Sequence, residues 1–357
     1  MSPGATPNGV AAHPTIATSL SRVGIVMMSA VGDAVHVLPV LTALKRHSAA
    51  THVTWVLQPG PASLVHGHSA IDEVLRFDRA SGWRAFTNVR HALRSRPFDV
   101  VLDLQVYLKA GIVTAFTRSP IKLGFDRARA RDGNWLFTTH RIPPHPTGQH
   151  VQDQYFEFLG ALGVPHQPVT WELGPWPAER AAQREFFAPI GRPVAAIVVA
   201  TSKPEKDWIP ERWGEVARAL DVDFGLQPVL VGGTSPREQH AAAIIRARAP
   251  RALSALGCGL RPLVGILDGS ALVLTPDTGP LHMAVALDRP VISLMGYTNP
   301  KRTGPYRRFH DLIIDAYGDA GEDYPVSMET RRGRMPRITV DDVLAKVARW
   351  SRSYQVR

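Results

Sequence analysis

Cysteine is almost missing: Cys258 is the only one in 357 residues. No intrachain disulfide can form, and the chain suits a reducing compartment. No apolar run reaches the roughly 18–20 residues of a membrane span. Residues 1–20 lack the basic region and continuous apolar core of a secretory signal. They are rich in Ala, Pro, Thr, Ser and Gly, so residues 1–21 read as a disordered tail. There is no Walker A loop, no His-Glu-x-x-His zinc helix and no Gly-x-Ser-x-Gly elbow. Zinc-finger spacing, RNA-binding signatures and lysine-rich tracts are absent too, which argues against nucleic acid as a partner. Lysine itself is scarce, at 7 of 41 basic residues.

The length fits two domains of about 150 residues each. The net charge of +10 favours anionic partners, such as lipid headgroups or phosphorylated glycans. Heavy use of Arg as a matter of composition accounts for it equally well. Along the chain, apolar strand candidates alternate with helical patterns. Val23–Met28, Val53–Leu57 and Phe98–Leu104 come first, with helix-like runs at Ala34–Lys45 and Val106–Phe116. Val151–Leu162 reads as an amphipathic helix, and Trp171–Pro177 as the domain boundary. A second series holds strands at Val194–Ala200, Pro228–Val231, Ala271–Leu274 and Val291–Leu294, with a late strand at Leu312–Asp315. Thr339–Trp350 reads as a terminal helix capped by Thr339. Strands that alternate with helices predict parallel sheets. The expected fold is α/β, with two Rossmann-like domains (22–175 and 176–338), a terminal helix (339–357) and a ligand cleft between the carboxyl ends of the sheets.

Five segments carry candidate chemistry. Asp277-Thr278-Gly279-Pro280 joins a buried strand to a helix. It offers backbone N–H groups, a helix dipole, a hydroxyl and a carboxylate at one point, with His282 one turn on. That set suits a phosphate joined to a polyhydroxylated sugar. Ser29-Ala30-Val31-Gly32-Asp33 follows the first strand. Its single Gly speaks against a dinucleotide fingerprint. Asp33 either deprotonates an acceptor hydroxyl or merely caps a helix. The loop Thr201–Trp208 holds two hydroxyls and two of the seven lysines, and Lys206 can neutralise a diphosphate. Gly232-Gly233 precedes Glu238, which suits ribose hydroxyls or a plain turn. Arg127, Arg129 and Arg131 alternate in a loop suited to carboxylates or phosphates. Asp221-Val222-Asp223 looks like a metal-binding Asp-x-Asp but reads as a turn, and Cys258 as a small residue between glycines.

With these residues assembled, the chain resembles glycosyltransferase family 9, the bacterial lipopolysaccharide heptosyltransferases, over roughly Arg22 to Tyr317. The Thr201–Trp208 loop resembles heptosyltransferase I more than II. The resemblance implies a GT-B architecture and inverting transfer of a heptose from ADP-heptose to an anionic lipopolysaccharide core acceptor, with no metal or cofactor. It implies Asp33 as base and Thr201, Ser202 and Lys206 at the diphosphate. Asp277, Thr278, Gly279 and His282 would complete the donor site. Glu238 would hold the ribose, the backbone at Cys258 the adenine, and Arg127 and Arg131 the acceptor. It also implies a cytoplasmic protein, peripheral at the inner face of the inner membrane. Two other readings remain open: a GT-B enzyme that uses another nucleotide sugar for O-antigen or another surface glycan, and a non-catalytic nucleotide-sugar-binding protein.

Overall fold

The computed structural model describes residues 15–146 and 148–354. Two six-stranded sheets organise it, and every strand pair is parallel. The first holds β1 (Arg22–Val26), β2 (His52–Leu57), β3 (Glu73–Arg76), β4 (Val100–Asp103), β5 (Ile121–Gly124) and β6 (His140–Arg141) in the order β3-β2-β1-β4-β5-β6. That is the doubly wound dinucleotide-fold order. The second holds β7 (Val194–Val198), β8 (Gln227–Val231), β9 (Leu253–Ser254), β10 (Leu272–Pro276), β11 (Val291–Met295) and β12 (Ile313–Asp315) in the order β12-β11-β10-β7-β8-β9. Strands β7, β8, β10 and β11 are buried at every residue, which is why they appear as mostly apolar runs.

Helices α1 (Val31–His47), α2 (Pro59–Leu64), α3 (Trp83–Arg94), α4 (Leu108–Phe116) and α5 (Val151–Ala161) belong to the first domain. Helices α6 (Arg180–Phe187), α7 (Pro210–Val222), α8 (Pro236–Arg248), α9 (Leu260–Gly269), α10 (Gly279–Ala286), α11 (Pro300–Thr303) and α12 (Val340–Tyr354) belong to the second. Helix α12 packs on α7 and β12 and so is part of the second domain. Thr339 and Asp342 cap it reciprocally: the Thr339 N–H and hydroxyl donate to the carboxylate, and the Asp342 N–H donates to Oγ1 at 3.1 Å. The expected tail ends earlier than residue 21. The Ile16 N–H donates to the Ala161 carbonyl at 2.8 Å, and Ile16 and Leu20 pack on the main core. Residues 1–14 lie outside the described residues.

Several contacts join the domains, among them bonds from Tyr306 to Asp153 and from His150 to the Gly304 carbonyl. Two others shape the site. In one, Arg261 of α9 donates to the carbonyls of Leu64 and Leu173 at 2.9 and 3.0 Å, pairs with Glu179 and covers the Trp176 ring. The connector around Trp171–Pro177 is therefore pinned. In the other, the first turns of α1 and α10 abut. A Cβ on Gly32 would lie 2.7 Å from the His282 ring, and one on Gly279 would lie 2.9 Å from Val31 Cγ1. Only hydrogen fits at these two points, because such contacts are shorter than carbon atoms tolerate.

Gly32→Val is therefore expected to lower stability by about 1–3 kcal/mol through overpacking, with helix content retained. Urea unfolding followed by circular dichroism measures it. Unchanged stability would mean that the two helices do not meet there.

Candidate functional site

The carboxyl ends of β1 and β4 build one wall of a cleft of about 1010 Å³. Buried Asp103 ends β4 and accepts from Thr114 Oγ1 and Asn134 Nδ2, both at 3.0 Å. Burial raises its carboxyl to about 7 despite these donors. Gln105, two residues on, accepts from the Met28 N–H at 3.2 Å and donates to the Ser29 carbonyl at 3.0 Å. This clamps the turn before α1. The Ala30 N–H then donates to Asp33 Oδ2 at 2.8 Å. The Asp33 carboxylate thus caps α1 and also lines the cleft. Burial raises its pKa, while the Ala30 N–H, Arg302 and His282 pull it down. Tyr155, buried on α5, lies close enough to the same carboxylate for each to feel the other's charge. A carboxylate tuned upward in this way is a better proton acceptor than one in water.

The second domain supplies the cation. Lys206 Nζ donates to Asp277 Oδ2 at 2.8 Å and to the Asp277 carbonyl at 3.2 Å. That leaves one ammonium N–H for a ligand. The Asp277 carboxylate also accepts from the hydroxyls of Thr298 and Thr303 and lies 3.6 Å from His282 Nε2. Burial works against its charge, but His282 and Lys206 hold the carboxyl far below the usual range. Asp277 therefore sits behind Lys206 and fixes it. Lys206, Thr298 and Thr303 all bond its Oδ2, while Oδ1 faces only His282. Thr278 and Gly279 open α10 at the seam, so the positive end of the helix dipole lies beside Lys206.

The other expected residues divide. Thr201 Oγ1 donates within its own loop to the Lys203 carbonyl at 2.8 Å, and its N–H donates to Asp207 at 2.7 Å. It shapes the turn that exposes Ser202. Glu238 accepts from the Gly233 N–H and from Ser235, so it too is a helix cap with most of its capacity in use. Cys258 is a free, half-buried thiol that burial pushes up, unlike an activated nucleophile. Arg131 lines the cleft, but Arg127 does not. The Arg127 guanidinium covers the Trp135 ring at 4.5 Å. Asp221 is held by Arg192 and Arg251, both at 2.7 Å, which accounts for the Asp-x-Asp as structure.

Four contributors escaped the sequence reading. Tyr155 lies on the buried face of α5, Thr298 follows β11, and Gln105 follows β4. Arg302 lines the cleft with its Nε buried and without a protein partner, so it has a donor to offer. None belongs to a recognisable spacing. Only the position of Gln105 just past a buried strand was a usable signal.

Two Rossmann-like domains that share one cleft make up the GT-B architecture. The family model for glycosyltransferase family 9 (heptosyltransferase) matches residues 86–321. The chain belongs to that family. It is 28% identical over 339 residues to the lipopolysaccharide core heptosyltransferase OpsX of Haemophilus influenzae, covering 90% of this chain and 95% of the relative. It is 29% identical over 297 residues to lipopolysaccharide heptosyltransferase 1 of Pseudomonas aeruginosa, covering 80% and 82%. In fold it is similar to a family 9 glycosyltransferase structure from Veillonella parvula, with a TM-score of 0.78, 19% identity and coverage of 94% and 98%. It is also similar to the heptosyltransferase WaaC of E. coli with ADP, with a TM-score of 0.72, 24% identity and coverage of 92% and 99%.

The depressed Asp277 carboxyl gives a prediction. A group whose folded pKa is lowered adds stability above its unfolded pKa and loses it as pH falls. Asp277→Asn is expected to cost about 1–3 kcal/mol at pH 7, the range for a buried polar group losing its partner. The difference from wild type should shrink below about pH 4, the ordinary Asp value. Urea unfolding at the two pH values measures this, and a constant difference would contradict it.

Proposed function

We propose that this enzyme transfers a heptose from ADP-heptose to an anionic lipopolysaccharide core acceptor in one inverting displacement. The observation that carries the reading is the meeting of Asp33 and the Lys206–Asp277 pair across the α1–α10 seam. Asp33 takes the proton of the acceptor hydroxyl. The oxygen then forms its bond to the anomeric carbon on the face opposite the diphosphate. The bond from that carbon to the diphosphate breaks, and its electron pair leaves on ADP. Lys206 and the start of α10 meet the growing negative charge. In this reading they supply the positive charge, with no metal required.

The acceptor side is basic. Arg131, Arg302 and Lys203 line the same cleft as Asp33 and suit the carboxylates and phosphates of a core oligosaccharide. The relatives that cover most of the chain are named for lipopolysaccharide heptose transfer, which supports this choice of acceptor over another surface glycan. Such an acceptor is anchored in a bilayer, so the enzyme works as a cytoplasmic protein at the inner-membrane surface.

Asp33→Asn keeps an oxygen for the Ala30 N–H but removes the base. Turnover is expected to fall by roughly 10²–10⁴-fold, with ADP affinity within a few-fold of wild type by calorimetry. In wild type, kcat/KM should rise with pH through a limb centred above the ordinary carboxylate value. Burial raises the Asp33 pKa, and only the ionised form accepts a proton. The variant should lack that limb. Retained turnover, or an unchanged pH profile, would remove Asp33 from the role of base.

A further inference from the structure

One face of the first domain is both apolar and basic, and the transfer chemistry uses little of it. Seven large hydrophobic side chains are exposed among the described residues, and four of them are Trp83, Tyr107, Leu108 and Leu136. Trp83 is 74% exposed and Leu136 63%. They share one end of the domain. Trp83 opens α3 and Leu108 opens α4, and both helices cover the same side of the sheet over one apolar cluster. Both helices enter from the strands' carboxyl ends. Leu136 lies in the turn Asn134–Phe137, which presses on α4: a Cβ on Gly111 would lie 2.5 Å from the Phe137 ring. Asn134 also donates to the Tyr107 carbonyl at 3.1 Å. The rim of the catalytic cleft runs through this end, since Arg79, Tyr107 and Leu108 line it.

The segment that carries these residues is basic, although Arg94, Arg96 and Arg118 lie at the domain's far end, where α3 and α4 finish. Between Arg76 and Arg141 there are thirteen Lys or Arg against five Asp and no Glu. That segment alone carries most of the net +10. Arg84, Lys109, Arg127 and Arg141 are exposed there. Arg127 and Arg141 both stack on Trp135, at 4.5 and 5.4 Å, which holds their cations at the surface beside Leu136. A solvated basic loop has no need of a three-quarters exposed tryptophan. A bilayer with anionic headgroups accounts for both features: Trp settles at the headgroup level and Arg meets phosphate.

We propose that this end of the first domain docks on an anionic lipid bilayer, with Trp83 and Leu136 inserted and the surrounding arginines on lipid phosphates. The inference rests on the reading of a membrane-anchored acceptor given above and adds the surface that faces it. Docked this way, the mouth of the cleft opens toward the bilayer, so a lipid-anchored acceptor reaches Asp33 without leaving it.

The test uses the double variant Trp83→Ala/Leu136→Ser, which touches neither the cleft nor the seam. Sedimentation is measured with vesicles of phosphatidylcholine, with and without phosphatidylglycerol. Activity is measured in parallel on a deacylated, water-soluble core acceptor. Wild type is expected to bind the anionic vesicles, more weakly as salt rises. The variant should partition about tenfold less or worse, as expected for side chains of this size, with unchanged activity on the soluble acceptor. Wild-type binding that the variant matches would overturn the face while leaving the membrane reading intact. No wild-type binding to either vesicle, with transfer to the soluble acceptor retained, would overturn docking but not the enzymatic function. Lost activity of the variant on the soluble acceptor, or a self-association of wild type that the variant abolishes with vesicle binding intact, would assign the face to another role and also overturn the proposal.

Discussion

Everything in the site depends on how closely α1 and α10 approach. Two residues without side chains, Gly32 and Gly279, let the first turns of these helices touch across the domain seam. Asp33 lies in the first turn of α1 and Asp277 just before α10, so the contact brings the two carboxylates into each other's field. The seam behind them is built of rings. His36 lies 4.3 Å from His282 and 5.6 Å from His150, and Gln152 holds the His36 Nδ1 at 3.0 Å. Burial lowers His36 well below its usual range and His150 to about 4. These two rings are therefore neutral at pH 7, and the seam closes without like-charge repulsion between them.

The two acids are tuned in opposite directions by what surrounds them. Asp33 loses water with few compensating donors and becomes more basic. Asp277 loses water as well, but an ammonium, two hydroxyls and an imidazole replace it, and the carboxyl stays ionised. Pairs of titratable groups pushed apart in this way mark a division of labour. In the proposed reaction one exchanges a proton with the acceptor, and the other is a fixed counter-charge that aims Lys206. The proposed displacement fits this division, because it needs a base on one side of the sugar and a held leaving group on the other.

Much of this was legible in the residues themselves. Central parallel strands are buried on both faces, so VGIVMM, VAAIVVA and the run before Pro276 announce themselves as unbroken apolar stretches. The short outer strands of the first sheet do not. β3 (EVLR) and β5 (IKLG) are four residues long and carry charges, and β6 has two residues. Asp33 and Lys206 were visible because each falls just past a strand end. The role of Asp277 was not, because its pairing with Lys206 spans 71 residues and exists only in the folded chain. Nor does spacing tell which of the alternating arginines faces the cleft. Arg127 is drawn away by Trp135, and Arg129 is held by Asp126 and Glu157. Tyr155 and Arg302 reach Asp33 from α5 and α11, through tertiary contacts that leave no local trace.

The central claim is that one seam places a base and a leaving-group cation on opposite sides of a single sugar carbon. A crystal structure with an unreactive ADP-heptose analogue tests it most directly. The account predicts the Lys206 ammonium on the diphosphate. It also predicts the Asp33 carboxylate about 5–6 Å from the anomeric carbon on the opposite face, the span of one acceptor oxygen in hydrogen-bond and attack range. A diphosphate bound away from Lys206, or Asp33 on the same face as the leaving group, would contradict it.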